Sequence, residues 1–490
     1  MSSAESAMAR AERSLCSNKK ELFQLLLEER ARRLQRIPRI RRDTANDVWV
    51  APVSYAQERL WTVDKIEGGS AGYQVPIAVR LDGQLDVVAL RKALDTLISR
   101  HEILRTVFRE VDGAPMQQIA SVAHFSLQEI DLRREDSSEA EQAVRQHQIA
   151  EVNDLFNLTT GPLIRGRLLR LDEQSHVLLI TLHHIIVDGW SKGVLLKELT
   201  QLYSAFRQRQ SIPLEPLPIQ YADYAQWQRQ LWAGGRMQER EVAYWRGQLQ
   251  EAKPRICFPA RNRTAEQRSY QGERVPVTLS PELTGCLKGL AQQRGVTLFM
   301  TLCAGWMTLL HAQTGHADIS IGSPIANRQR PELEDLIGLF VNPLVIRIVM
   351  HPQWRVSNLL REVRKVILEA YEHQEVPFES VARTLRPDTG LTRQPLFNTS
   401  LVFHNEPAGE LRMPGLTVIP EEEVDEPAML DLLLSLEERA TGLVGSLYYA
   451  TDLFCRQSMI QWTHKLEALL ANMVDADDAR IDTLVRNLHG

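Results

Sequence analysis

Two adjacent histidines, His183 and His184, are followed after a short apolar stretch by an aspartate and a glycine, Asp188 and Gly189. An imidazole has an ordinary pKa of about 6.5, so near neutral pH it can accept a proton from an amine or hydroxyl that attacks a carbonyl carbon. Neighbouring side chains on a strand point to opposite faces, so only one ring can face a substrate. The sequence therefore predicts one reacting histidine and one that holds the loop by hydrogen bonds.

Two other roles compete for the same residues. As metal ligands, His183 and His184 would point to opposite sides of a strand, and no further Cys or His follows at ligand spacing, which disfavours a metal site. As core residues, both imidazoles would be buried and hydrogen-bonded. Asp188 would either orient the imidazole or close the loop and pair with an arginine, and its place beside a glycine favours the second role.

The elements around the motif support a reactive loop. Residues 163–171 and 176–182 are largely apolar and are separated by the polar stretch 172–175, which predicts a hairpin that ends at the histidines. After Gly189 the apolar residues follow helical spacing. The predicted helix face contains Leu195, Leu196, Leu199, Leu202, Tyr203 and Phe206. The motif is thus predicted to lie at a strand-to-helix junction.

Residues 68–72 match the pattern Gly-x-Ser-x-Gly of a nucleophile elbow. That elbow requires a strand before the serine and a helix after it. Here residues 54–66 are amphipathic and residues 73–81 have the composition of a strand, so the order is reversed. The pattern indicates a glycine-rich turn rather than a nucleophile.

Composition limits the classes of function. With 490 residues the chain exceeds the size at which a single core keeps growing, which predicts two domains. The net charge of −5 and the pI near 6.3 argue against a nucleic-acid-binding protein. No apolar run reaches membrane-spanning length and residues 1–20 lack the apolar segment of a signal peptide, which predicts a cytoplasmic protein without a membrane partner.

The cysteines and the missing nucleotide motifs narrow the chemistry further. The five cysteines are far apart and lack C-x-x-C spacing, so they are predicted to be reduced packing residues. Neither a P-loop nor a strand-linked dinucleotide fingerprint is present in the sequence. An acyl group transferred by this chain would therefore have to arrive already activated, most simply as a thioester.

Three segments are predicted along the chain. Residues 1–47 form an N-terminal extension with a helix that begins at Asn18, which either docks an upstream partner or packs on the first domain. Residues 48–218 form the first lobe, and the proline-rich stretch 213–218 ends it. Residues 219–490 form the second lobe, with a further boundary signal in the polar segment 260–268.

A series of motifs resembles those of the condensation domains of non-ribosomal peptide synthetases, in the same order. The matching segments are 54–61 (SYAQERLW), 100–108 (RHEILRTVF), 183–189 (HHIIVDG), 221–227 (YADYAQW), 337–342 (IGLFVN), 373–379 (HQEVPFE) and 393–398 (RQPLFN). The resemblance runs from about residue 54 to residue 454, which is most of the chain.

The resemblance implies an α/β fold of two lobes, each similar to chloramphenicol acetyltransferase, that form a V-shaped pseudo-dimer around a central tunnel. It also implies two carrier-protein partners whose phosphopantetheine arms deliver a donor acyl thioester and an acceptor aminoacyl thioester, with adenylation domains nearby. The acceptor amine would attack the donor thioester and form an amide. The chain itself would bind no covalent cofactor and no metal.

Roles of individual residues follow from the same resemblance. His184 is implied as the catalytic histidine midway along the tunnel, either as a base or as a group that positions the amine and stabilises the tetrahedral state. His183 and Asp188 are carried over as residues that hold the loop, and Arg328 as the guanidinium that pairs with Asp188. Gly189 is expected to keep the path to His184 open because a side chain there would intrude.

Further residues are carried over as neighbours of the substrate path. Trp190, Ser191, Asn342 and His373 are expected beside the tunnel. Pro343 departs from the family pattern, and because proline has no N–H to donate, its segment is predicted to be a sheet edge or a crossover.

Residues outside the motif loop are expected to have structural roles. Arg100, His101 and Glu102, with Arg105, are predicted to form an ion-pair network in the first lobe. Phe340 is expected to be a core aromatic.

The subtype and the alternatives remain open at this level. The first motifs resemble the type that joins two L-configured residues, and a starter type that begins a lipopeptide with a fatty-acyl donor is the nearest alternative. A catalytically idle relative that recruits partner proteins is a second alternative, and acyl transfer from coenzyme A to a small alcohol or amine is a third. The intact pattern from His184 to Gly189 disfavours the idle relative.

Overall fold

The computed structural model describes residues 36–42, 47–69, 71–233, 235–253, 255–258, 271–386, 396–404, 412–421, 428–475 and 479–488. The helix predicted from Asn18 and the polar segment 260–268 lie outside these residues. The strands are β1 Val48–Pro52, β2 Gln74–Gly83, β3 Thr106–Val111, β4 Ala114–Ala120, β5 Leu127–Asp131, β6 Ile164–Arg170, β7 Ser175–His183, β8 Gly272–Leu279, β9 Asp318–Ile325, β10 Asn342–Val349, β11 Thr399–His404, β12 Leu416–Pro420, β13 Leu432–Arg439 and β14 Gly442–Ala450.

Twelve α-helices lie among these strands in the described part of the chain. They are α1 Tyr55–Glu67, α2 Val87–Arg100, α3 Ser137–Asn153, α4 Gly189–Gln208, α5 Tyr221–Leu231, α6 Arg236–Leu249, α7 Pro281–Arg294, α8 Leu298–Thr314, α9 Val356–Glu372, α10 Phe378–Leu385, α11 Arg456–Asp475 and α12 Ile481–Asn487. Among the described residues, no single helix is long and apolar enough to cross a membrane, and the bent pair α7 and α8 meets the requirement together by length and composition only.

The first large sheet has the strand order β12-β2-β7-β6-β5 and places β7 near its centre. Nearly every residue of β7 is buried, because helices cover both faces of the sheet. Leu178 and Ile180 point into the core shared with α2 and α4, while Val177 and Leu179 pack with Val144 of α3. The predicted hairpin is confirmed as β6 and β7, which pair antiparallel, and it delivers His183 to the end of a central strand.

The second large sheet has the order β10-β9-β11-β13-β14-β8 and its own apolar core with α8, α9 and α11. Strand β11 runs parallel to β9 and β13, and the other neighbours are antiparallel. The prediction for Pro343 is confirmed, since β10 is an edge strand of this sheet. A small sheet, β1-β4-β3, completes the described strands.

The two halves of the chain interpenetrate. Strand β12, from the second half, pairs antiparallel with β2 at the edge of the first sheet. The first core also contains Ile219, Tyr221 and the apolar residues of the segment 333–340, which follow the predicted lobe boundary between residues 218 and 219. That boundary stays a prediction, while the first core takes residues from both sides of it.

Two smaller expectations have clear outcomes. The glycine-rich pattern at 68–72 follows α1 and precedes β2, so the order of elements is indeed the reverse of a nucleophile elbow. Among the cysteines, Cys303 is buried, but Cys257 and Cys286 are exposed, so the expectation that they are packing residues is wrong for these two. Cys16 lies outside the described residues.

Candidate active site

The histidine motif lies in a tight connection between β7 and α4. His183 ends the strand, His184–Ile186 form one turn of 3₁₀ helix, and Asp188 is the N-cap of α4. Asp188 Oδ1 accepts a hydrogen bond of 2.8 Å from the backbone N–H of Ser191, which satisfies a free donor of the first helical turn. The predicted strand-to-helix junction is thus confirmed, and it turns the chain sharply between the two elements.

His183 lies against the first apolar core. Its side chain is 3% exposed, and Nδ1 accepts a hydrogen bond of 3.1 Å from the N–H of Ile185. The rings of Tyr73 and Phe156 lie 6.2 and 6.3 Å from its centroid. Burial, with a smaller contribution from His184, lowers the pKa of His183 to about 3, so the ring is neutral near neutral pH.

His184 is only partly buried, in contrast to His183. Its Nδ1 lies 2.6 Å from the carbonyl oxygen of Val187. A carbonyl oxygen can only accept a hydrogen bond, so Nδ1 carries the proton and Nε2 of the neutral ring keeps a lone pair. The backbone of Val187, rather than the carboxylate of Asp188, therefore fixes the tautomer.

Asp188 joins the loop to the second half of the chain. It is 3% exposed, and Oδ2 accepts a hydrogen bond of 2.9 Å from the N–H of Phe340. Oδ1 lies 3.3 Å from Nη2 of Arg328. The contacts of this carboxylate therefore fasten the loop, as expected for a residue that closes it and pairs with an arginine.

Arg328 is almost completely buried beneath the loop. Nη2 also donates to Ser191 Oγ at 2.6 Å, and Nη1 donates to the carbonyls of Leu333 and, at 2.7 Å, Leu336. Burial lowers the pKa of the guanidinium, whereas the charge of Asp188 raises it, and an arginine remains protonated in such a site. One side chain thus ties the loop to the segment 333–336.

The neighbours of Asp188 in α4 are engaged with the same segment. Ser191 Oγ lies 2.8 Å from the carbonyl oxygen and 3.0 Å from the nitrogen of Gly338. Trp190 is partly buried, and its Nε1 donates to the carbonyl of Glu334 at 2.9 Å. Gly189 is exposed at the first position of α4. The expected places of Trp190 and Ser191 beside a substrate path remain predictions, because their described polar contacts are with Asp188, Arg328 and the backbone of Glu334 and Gly338.

Asn342 and His373 belong to a different set of contacts. Asn342 Nδ2 donates to the carbonyls of Gln374 and Val376 at 2.9 and 2.8 Å, and its Oδ1 accepts from Phe378. His373 Nδ1 lies 2.5 Å from Glu241 Oε2, and its ring stacks on Tyr244 at a centroid distance of 3.8 Å. These contacts organise the chain between α9 and α10, and a position beside the tunnel stays a prediction for both residues.

Support for the loop also comes from residues that the sequence did not single out as functional. Tyr221 Oη lies 2.7 Å from the carbonyl of Leu339 and 2.9 Å from Ser54 Oγ. Gln57 Nε2 donates to the carbonyl of Ile185 at 3.2 Å, so the first turn of α1 reaches the turn that contains His184. The motif segments beginning at residues 54 and 221 therefore both stabilise the loop and its partner segment by hydrogen bonds.

The predicted ion-pair network in the first lobe is present, although its partners differ. Arg100 and His101 both contact Glu198, at 3.0 and 2.7 Å. Arg105 instead donates to three backbone carbonyls, because its guanidinium lies against the ends of neighbouring elements. Glu102 pairs with Arg42, which precedes the first motif. Within the described ranges, no group of three or more His, Cys, Asp or Glu side chains is placed to hold a metal ion.

Comparisons with curated proteins give consistent relatives. The chain is 39% identical over 427 residues to malpinin synthetase of Mortierella alpina, covering 87% of this chain and 6% of that protein. It is 39% identical over 433 residues to phosphinothricin tripeptide synthetase PhsC of Streptomyces viridochromogenes, covering 87% of this chain and 39% of that protein. The chain thus spans a minor part of the relatives that it matches.

Solved structures and the family model agree with this result. The X-domain from teicoplanin biosynthesis superposes with a TM-score of 0.81 at 28% identity, covering 91% of this chain and 99% of that one. The first condensation domain of the calcium-dependent antibiotic synthetase has a TM-score of 0.74 at 19% identity, covering 89% and 99%, and shows the shared fold. A sequence model of the condensation domain family, whose reaction is acyl transfer that forms an amide bond, matches residues 49–486. The chain therefore belongs to the condensation domain family of non-ribosomal peptide synthetases.

Proposed function

We propose that this chain joins a donor acyl or peptidyl group, held as a thioester on one carrier domain, to the amine of an aminoacyl thioester on a second carrier domain. Phosphopantetheine arms present both groups to His184. The observation that carries this proposal is the 2.6 Å contact between His184 Nδ1 and the Val187 carbonyl, because it leaves Nε2 with a lone pair on a ring that is only partly buried.

The reaction balances without a further reagent. The acceptor nitrogen attacks the carbonyl carbon of the donor thioester, and a C–N bond forms. The tetrahedral intermediate collapses with cleavage of the C–S bond, so the donor carrier leaves as a thiol after it takes up the proton that the nitrogen loses. The product amide remains attached to the acceptor carrier through its own thioester.

His184 has two roles compatible with this step. As a base, Nε2 accepts the proton of the attacking amine. As a positioning group, Nε2 accepts a hydrogen bond from the amine and holds its lone pair toward the carbonyl carbon. His183, Asp188 and Arg328 act by keeping the loop in place rather than by contact with the reacting atoms, and Gly189 keeps the path to His184 open.

The remaining parts of the assembly are proposed on the same basis. Residues 48–218 and 219–490 act as two lobes around a V-shaped cleft with a central tunnel, and residues 1–47 lead into the first lobe. Trp190, Ser191, Asn342 and His373 lie beside the path of the substrates. Adenylation domains of the same assembly line are further partners. The reaction takes place in the cytoplasm, a reducing compartment that is consistent with the free thiols among the described cysteines.

A transfer assay tests the proposal. One carrier is loaded with a labelled acyl or peptidyl group and the other with an amino acid, and the label is followed to the acceptor. We expect His184→Ala to lower the transfer rate by about 100-fold or more. His124→Ala is the matched control, since that histidine is 80% exposed. Donors with a fatty-acyl or an L-aminoacyl group separate the starter type from the type that joins two amino acids.

Partner recruitment without catalysis is a second candidate. One solved relative of this fold is an X-domain in a complex with OxyB from teicoplanin biosynthesis, with a TM-score of 0.82 at 27% identity. Absence of transfer by the native chain across all donor and acceptor pairs would favour this role. Turnover with free acyl-coenzyme A in the absence of any carrier would favour a soluble acyltransferase instead.

A further inference from the structure

Residues 36–42, here called the strap, run across the first lobe before the family motifs begin. Ile37 is 4% exposed and belongs to the first apolar core. Its N–H donates to Glu332 Oε1 at 3.3 Å, and the N–H of Ile40 donates to Asp223 Oδ1 at 2.7 Å. The strap is therefore fixed at both residues to side chains that follow residue 218, although the match to the family model starts only at residue 49.

Arg42 at the end of the strap joins two buried carboxylates. Its Nε and Nη2 donate to the two oxygens of Glu102 at 3.1 and 2.8 Å, and Nη1 and Nη2 donate to Asp223 at 2.6 and 3.0 Å. The guanidinium lies 4.6 Å from the ring centroid of Trp49. Asp223 is completely buried, so loss of Arg42 would leave it without this charge partner in a site where water cannot replace it.

Asp223 lies in the first turn of α5, next to the residues that support the reactive loop. Tyr224 and Tyr221 pack against the ring of Phe340, at centroid distances of 4.7 and 4.9 Å. The backbone N–H of Phe340 donates to Asp188. The position of α5 thus determines the position of a donor that Asp188 requires.

The other end of the strap reaches Asp188 by a second route. Glu332, the acceptor for Ile37, lies in the short 3₁₀ turn Pro331–Leu333. The carbonyl of Leu333 accepts from Arg328, which in turn contacts Asp188. Both ends of the strap therefore contact residues close to the hydrogen-bond partners of the Asp188 carboxylate.

We infer that the strap is a positioning element of the reactive loop, and that Arg42 and Ile37 are positioning residues for the condensation reaction. The inference rests on the proposed function for its effect on rate, but its effect on the loop is independent of any substrate. The functional unit accordingly begins at or before residue 36, upstream of the family boundary.

Hydrogen exchange of the full chain tests the loop directly. Arg42→Met is expected to accelerate amide exchange in residues 184–195 and 336–341 on the order of tenfold, because the donors to Asp188 open more often. The first control is Arg41→Met, an exposed neighbour in the strap. The second is Arg347→Met, which breaks a comparable ion pair with Asp318, at 2.8 and 2.9 Å, in the second lobe. Neither control is expected to change exchange in these two segments.

Transfer kinetics test the consequence for catalysis. We expect Arg42→Met to lower kcat by about 10- to 100-fold with little change in the KM for the loaded acceptor carrier, because a small displacement of His184 affects the chemical step. Arg42→Lys keeps the charge but cannot bridge both carboxylates in the same fork, so it should fall between the native chain and Arg42→Met. It also serves if Arg42→Met does not fold.

Three results separate the outcomes. Native exchange and native kcat in a folded Arg42→Met or Arg42→Lys variant overturn the inference. An equal loss of kcat in Arg347→Met overturns it as well, since general destabilisation then explains the effect. Faster exchange at the loop in a chain whose native form transfers no acyl group supports the strap and rejects the proposed function instead.

Discussion

His183 and His184 are neighbours in the chain, yet their rings meet different surroundings. The first is buried against Tyr73 and Phe156, and the second is partly exposed and held by a backbone carbonyl. Alternation along a strand predicts this division from the sequence alone. It does not predict that Val187 supplies the acceptor, because that contact depends on the 3₁₀ turn that follows.

Stability at acidic pH should depend on His183. Its pKa is about 3 in the folded chain and about 6.5 when unfolded, so below pH 6.5 the unfolded chain binds a proton that the folded chain does not. The contribution is complete above pH 6.5 and is lost as the pH falls toward 3. Between pH 7.5 and 5.0 the native chain should lose about 2 kcal/mol more free energy of unfolding than His183→Asn does.

Urea titrations at the two pH values measure this difference. His124→Asn is the control, because its side chain is 80% exposed and should follow the native chain. An equal loss of stability in the native chain and in His183→Asn contradicts the prediction.

Removal of Arg328 should be costly because its partner stays behind. Arg328→Met leaves the carboxylate of Asp188 buried without its cation, which we expect to lower the free energy of unfolding by about 3 to 5 kcal/mol. The exposed pair of Lys288 and Glu438 gives the comparison, and Lys288→Met should cost less than about 1 kcal/mol. Denaturant unfolding of both variants measures the two losses of free energy of unfolding. Similar losses in Arg328→Met and Lys288→Met would contradict the prediction.

At the scale of elements, the segment 333–340 supports the loop through backbone atoms. Leu333, Leu336 and Gly338 offer carbonyls, and Phe340 offers an N–H. The sequence predicted Phe340 as a core aromatic, which its burial confirms, and the family resemblance implied Arg328 as the partner of Asp188. It gave no signal for the backbone partners, because a carbonyl or N–H is present at nearly every residue and only the tertiary fold selects among them.

Close packing at Gly338 predicts an effect of a single methyl group. A Cβ atom there would lie 1.9 Å from Cδ2 of Tyr221, whose ring is buried. Gly338→Ala should therefore lower the free energy of unfolding by at least about 1 to 3 kcal/mol and reduce transfer, because Leu339 and Phe340 must shift.

At a glycine with open space around it in a helix, substitution by alanine should raise the free energy of unfolding instead of lowering it. A Cβ atom at Gly289, within α7, meets nothing within 4 Å, so Gly289→Ala should raise stability by about 0.5 to 1 kcal/mol. Thermal unfolding of the two variants compares them. A neutral Gly338→Ala would mean that the ring of Tyr221 moves aside without cost.

At the scale of the whole molecule, β12 connects the second half of the chain to the first sheet. Gly83 at the end of β2 has φ +130°, and a Cβ atom there would lie 2.4 Å from the carbonyl oxygen of Gly415, just before β12. Gly113 has φ +78° with nothing within 4 Å of a Cβ atom. Gly113→Ala should cost only the backbone strain of about 1 to 2 kcal/mol, and Gly83→Ala should cost more.

Limited proteolysis and thermal unfolding measure that comparison. Gly83→Ala should expose residues 412–421 to cleavage because β12 no longer pairs well with β2, whereas Gly113→Ala should not. Equal cleavage of the two variants contradicts the prediction.

Sequence patterns predicted local elements better than the connections between halves. The β6–β7 hairpin and α4 follow from apolar spacing, and the α/β fold of the family follows from the ordered motifs. The pairing of β12 with β2 had no local signature, because the two strands lie hundreds of residues apart in the chain. The burial of Ile37 in the first core had none either, because Ile37 lies outside any segment with a periodic apolar pattern. The prediction of an N-terminal extension accordingly did not include the anchoring of the strap through the buried Ile37.

The crossing of β12 has a practical consequence for recombining such domains. In a chimera that takes its first half from one synthetase and its second half from another, β2 of one parent would have to pair with β12 of the other. Exchange sites that transfer residues 412–421 together with the first sheet would preserve this register, from Leu416 opposite Gly83 to Pro420 opposite Val79. Chimeras designed in this way should keep the native pairing between β2 and β12.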